Sequence, residues 1–151
     1  MMRVPMQRIL GVMALSGCLA ACATAVPTAP DPYLATYRPL ELPNGGIVAF
    51  PTVSLDGRLN VIDGCFVVTS TSGALTMVAF APQVSVVRAN GLWGLRDGAT
   101  GRRVVEGDMI GVGGASVEDA SAFVEMRFTS PPPPAACPKA LFVSNSGFEK
   151  K

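Results

Sequence analysis

From Asn44 to Ser144 short apolar runs alternate with turn-forming residues, and that cadence limits the fold more than any other feature of the sequence. The runs are 47–50, stopped by Pro51, and a weaker 58–62, entered through Asp56-Gly57. Next come 65–70 and 74–80, which flank Thr71-Ser72-Gly73. The segments 84–89 and 92–96 turn at Asn90-Gly91. After Asp97-Gly98-Ala99-Thr100-Gly101 the run 102–106 turns at Gly107-Asp108 into 109–112. Turn signals roughly 8–12 residues apart describe a meander of about seven or eight short strands. The fold class is therefore all-β, a small closed or partly open antiparallel barrel, with a sandwich as the second architecture.

Phe66, Val67 and Val68, with Leu75, Met77, Val78 and Phe80, put apolar groups on both faces of one hairpin. A pair buried on both sides belongs in the middle of a closed or sandwiched sheet. Ser116 is placed to cap one helical turn over 116–123, with Asp119 three residues on, before an extended run over 124–128. Pro131 to Pro134 cannot join a central ladder and form a loop, and 140–144 is the last strand.

The amino-terminal stretch carries Arg3 and Arg8 without an acid, then an uncharged apolar run, then small residues before a cysteine. That is a secretory leader. It resembles the bacterial lipoprotein leader, whose box of Leu, two small residues and Cys occurs twice, as Leu15-Ser16-Gly17-Cys18 and Leu19-Ala20-Ala21-Cys22. A working leader needs an apolar core of roughly 7–15 residues. Ahead of the first box the core is Ile9 to Ala14; ahead of the second it runs from Ile9 to Cys18. Cys22 is the expected attachment point and Cys18 the alternative. The resemblance implies diacylglyceryl and acyl chains on Cys22, and two or more chains hold where one binds only marginally. By the same resemblance, Ala23 rather than Asp after the cysteine implies the outer membrane in a host with two membranes, with the body facing the periplasm.

The resulting organisation is a signal peptide over 1–21, a Pro-rich tether over 22–43 and a single β-domain over 44–151. Tyr33, Leu34, Tyr37 and Leu40 are apolar enough to pack back on the domain, so the tether proper ends near Tyr33. Loss of Arg3 and Arg8 takes the 12 basic side chains to 10 against 11 acidic ones. That balance gives no electrostatic case for nucleic acid. In an exported body Cys65 and Cys137 read as one disulfide.

Gly64-Cys65-Phe66, Asp97 with Thr100-Gly101, Glu106-Gly107-Asp108, Gly113-Gly114 and Cys137 before a closing strand resemble small uncharacterised bacterial secreted or lipoprotein domains with a β-barrel body. The likeness covers about residues 44–145 and brings no catalytic residue with it. The oligomer-binding type of barrel is the first topology expected.

The chain contains no histidine, which removes the usual base near neutral pH and the commonest metal-ligand side chain. Asp97, Asp108, Glu118 and Asp119 are weak candidates for a metal, because the alternating ligand loop of a Ca²⁺ site is missing. Turn carboxylates serving local N–H groups are the commoner outcome. Gly111-Val112-Gly113-Gly114 reads as a strand-end bulge or tight corner rather than a phosphate loop, and Trp93 as a core or rim aromatic. The expected function is a lipid-anchored, non-enzymatic structural or interaction module without a cofactor, held at the membrane by its lipid, with an envelope protein or glycan as partner. A small-ligand or metal-binding periplasmic domain is the alternative.

Overall fold

The structure, a computed structural model, describes residues 29–38, 43–45, 53–117 and 127–151. These residues form eleven strands and no helix: β1 Ala35–Arg38, β2 Val53–Ile62, β3 Cys65–Thr69, β4 Leu75–Phe80, β5 Val84–Ala89, β6 Leu92–Asp97, β7 Arg103–Val105, β8 Met109–Val117, β9 Arg127–Phe128, β10 Leu141–Ser144 and β11 Glu149–Lys150.

Five of them close a barrel in the ring β2, β3, β4, β10, β8 and back to β2. The β4–β10 contact is parallel, with Phe142 beside Val78, and every other seam of the ring is antiparallel. One parallel seam inside an otherwise antiparallel ring is the Greek-key closure of the oligomer-binding type of barrel, and it corrects the wholly antiparallel expectation.

The pleat sorts residues between two cores. Phe66, Val68, Val78, Phe80, Ile110, Val112 and Phe142 fill the barrel interior. Their neighbours Cys65, Val67, Met77, Ala79, Leu141 and Val143 point outwards but are buried as well, under Ala35, Tyr37 and Cys137. β1 borders this layer in the same sheet: it runs parallel to β4, Ala35 beside Ala79, and pairs on its other side with β9, and the Tyr37 side chain reaches across to β10. In barrels of this type the outer face of the corresponding strands is a habitual binding surface. Here the side chains of Tyr37 and Cys137 pack against it.

β5, β6 and β7 form a separate three-stranded sheet. Val84, Leu95 and Val104 on its inner face join the barrel-interior core, together with Phe148. Asn90 and Gly91 both have positive φ, 51° and 81°, as the mirror-image hairpin turn between β5 and β6 requires.

Several sequence expectations change. β2 starts at Val53, so Asp56-Gly57 lies inside a strand and not in a turn. Gly57 is needed because a β-carbon there would meet the Thr69 carbonyl on β3. β8 runs on to Val117, so Ser116 pairs with Phe142 and does not cap a helical turn. Gly111 and Gly114 sit within that strand rather than at its end. Gly114 admits the Val143 carbonyl and the Phe142 ring, and Gly111 the Lys151 side chain. β1 falls within the range read as tether, and the Tyr37 expected to pack back does so. The run expected at 47–50 lies outside the described residues.

Candidate functional site

Two places gather polar or reactive side chains. The first is the corner where Cys65 opens β3. Tyr33 docks beside it: its N–H donates to the Gly64 carbonyl (2.7 Å) and its carbonyl accepts from the Phe66 N–H (3.0 Å). The Tyr33 hydroxyl donates to the Pro131 carbonyl at 2.8 Å, tying the proline loop to the same corner. Cys65 is bonded to Cys137, with Cα atoms 5.7 Å apart across 72 positions of sequence. The loop that cannot pair into a ladder is thus fixed by a covalent bond and a tyrosine.

The second place is a cleft of about 440 Å³ between the start of β2, the turn after β6 and the C-terminal residues. Ser54, Asp97, Thr100, Arg102, Gly113 and Lys151 stand on its wall. Asp97 is only 2% exposed, and its carboxylate accepts from the Ala99 N–H (2.8 Å) and the Thr100 hydroxyl (2.9 Å). The other charges are engaged in pairs: Lys151 with Asp56 at 2.6 Å and Arg102 with Glu149 at 3.6 Å. Hydrogen bonds from Lys151 and from the Ser54 hydroxyl hold the Asp56 carboxyl below the usual carboxylate range.

Asp108 lies on the turn into β8. Its carboxylate accepts from the Val105 N–H at 2.9 Å and pairs with Lys150 at 2.8 Å. Partial burial pushes its pKa up, but the Lys150 and Val105 hydrogen bonds and the Lys150 charge outweigh that and leave it below its ordinary value. Asp97 and Asp108 therefore act as turn carboxylates. Glu118 and Asp119 lie outside the described residues, as do Cys18 and Cys22. Among the described residues no three His, Cys, Asp or Glu side chains converge as a metal would require.

Trp93 is half-buried against the interior core, with the Arg88 guanidinium 4.7 Å above its ring. Sequence reasoning missed Phe148 altogether and, for Tyr37, foresaw the packing but not the hydroxyl's partner. Burial raises the Tyr37 pKa, and its hydroxyl donates to the carbonyl of Ser144 on β10. The Phe148 ring stands edge-on to Phe80 at 5.9 Å. No local pattern marks either residue, because each acts on a strand distant in sequence. In comparisons with known proteins, no family model, no curated protein and no solved structure matches the chain.

Proposed function

We propose that the chain is a lipid-anchored protein of the cell envelope whose barrel is a non-enzymatic structural or interaction module. The observation that carries this reading is Leu19-Ala20-Ala21-Cys22 behind an Arg-bearing, ten-residue-class apolar core of the kind roughly 7–15 residues long in working leaders. Cys22 takes the lipid, the barrel faces the periplasm from the outer membrane, and its partner is an envelope protein or glycan. The Cys65–Cys137 disulfide supports an oxidising compartment. The engaged charges of the cleft support a role without acid–base chemistry.

The test is palmitate labelling of the full chain in a bacterial host. Cys22→Ser abolishes labelling and releases or mislocalises the protein, whereas Cys18→Ser changes neither. Labelling that persists in Cys22→Ser and vanishes in Cys18→Ser assigns the anchor to Cys18; labelling of neither wild type nor variants removes the lipoprotein reading.

The cleft favours one second reading, a small polar ligand held between Thr100 and Lys151. A compound that raises the Tm of the wild type but not that of Thr100→Val would establish it.

A further inference from the structure

We infer that the outer face of the β5–β7 sheet is a docking surface for anionic phospholipid headgroups. The inference deepens the envelope reading, on which it rests for a bilayer within reach. It starts from register. The Asp97 N–H donates to the Arg102 carbonyl and the Glu106 N–H to the Trp93 carbonyl, both at 2.9 Å, so the hydrogen-bonded pairs of the β6–β7 ladder are those two and Leu95 with Val104 between them. Arg96 and Arg103 face each other in the intervening, non-hydrogen-bonded position, where side chains come closest.

Like charges directly opposite across a ladder are unfavourable. Both arginines are exposed, and among the described residues neither has an ion-pair or hydrogen-bond partner. Arg88 and Arg102 belong to the other face by register, Arg88 over the Trp93 ring and Arg102 opposite Asp97 and paired with Glu149, so the outer face carries Arg96 and Arg103. Its two acids offer no compensation to the outer face: Asp97 is buried in its turn, and Glu106 accepts from the Trp93 N–H at 3.0 Å. Next to the arginine pair on the outer face lie Val87, opposite Gly94, and Val105. At the hairpin end comes Leu92, 45% exposed, opposite Ala89.

A basic pair on the same face as an apolar hairpin end matches the phosphate layer and acyl boundary of a bilayer. Guanidinium forks fit phosphate oxygens two at a time, and Leu92 is placed to enter the boundary layer. An arginine near an anionic membrane surface strengthens binding by about 5-fold.

The test uses the full chain with Cys18→Ser and Cys22→Ser, so that no acyl chain contributes and the leader is common to all samples. Sedimentation is measured with vesicles of phosphatidylcholine alone or mixed with phosphatidylglycerol. Adding Arg96→Gln and Arg103→Gln should lower binding to the mixed vesicles by about 30-fold, two charges' worth, and leave binding to neutral vesicles unchanged. Equal binding to both kinds of vesicle overturns the proposal, as does a double Gln variant that binds like its parent. Complete release by inorganic phosphate at matched ionic strength also overturns it, because it would mark an isolated anion site. None of these outcomes touches the anchor, which palmitate labelling of Cys22 tests separately.

Discussion

The half of the barrel made by β3, β4 and β10 and the sheet made by β5, β6 and β7 solve the same problem in opposite ways. The first is buried on both faces and bound by distant parts of the chain: β1 from before the barrel, β10 in parallel with β4, and a disulfide across 72 positions. The second is built from hairpins adjacent in sequence, covers one face and leaves the other to arginines. The covalent bridge and the doubly buried strands lie where long loops must close, and they offset the closure cost that local hairpins avoid. The local sheet is free to present a surface unfavourable to itself.

Breaking the bridge should expose this contrast most. Replacing Cys65 and Cys137 together with Ala should lower stability by about 4 kcal/mol, the chain-entropy value for a loop of that size. Urea denaturation compared with the wild type measures it; a loss below about 1 kcal/mol would mean that β1 and Tyr33 hold the corner without covalent help.

A smaller effect in the same half is expected from Tyr37→Phe, which removes the hydroxyl that donates to the buried Ser144 carbonyl. The cost should be about 1–2 kcal/mol, with the folded hairpin of β5 and β6 unaffected by hydrogen exchange.

The Asp108–Lys150 pair, where the β5–β7 sheet hands over to β8 and β11, should contribute at most about 1 kcal/mol because the lysine is largely in water. The folded carboxyl titrates below its unfolded value, so the contribution is complete above about pH 4 and is lost as pH falls through the depressed folded value. Asp108→Asn should flatten the acid limb of the stability profile; an unchanged limb would show that the pair is fully screened.

The smallest change carries the opposite sign. Arg96→Gln with Arg103→Gln should raise stability by about 0.5 kcal/mol, by relieving a like-charge pair at closest approach. A decrease would show that the arginine stems hold the sheet together by packing.

Much of this was legible wherever pairing is local. Thr71-Ser72-Gly73 and Asn90-Gly91 are turns, and the run expected over 84–89 is β5. Asp63-Gly64, with positive φ at both residues, is a hairpin signal in plain sight that sequence reasoning passed over. Gly57 was misread because a glycine required by the approach of Thr69 looks, in one dimension, like a glycine required by a turn. β1 and β11 escaped because their partners, β4 and β8, are far away in sequence and the runs themselves, four and two residues long, are too short to stand out. Asp97 and Asp108 accept from backbone N–H groups two and three residues away, which the surrounding turn residues suggest, but which lysine faces which acid depends on the path of the last strand, and no spacing encodes it.

The corner at Tyr33 has a mechanical meaning. Tension applied to the chain ahead of Tyr33 is delivered to its hydrogen bonds with Gly64 and Phe66, on either side of Cys65. Those bonds cross to β3 from a parallel bridge, so a load directed along the strand strains both together instead of opening one at a time. Behind them the disulfide passes the force to the loop at Cys137, and the barrel is pulled as one body rather than unwound from its edge.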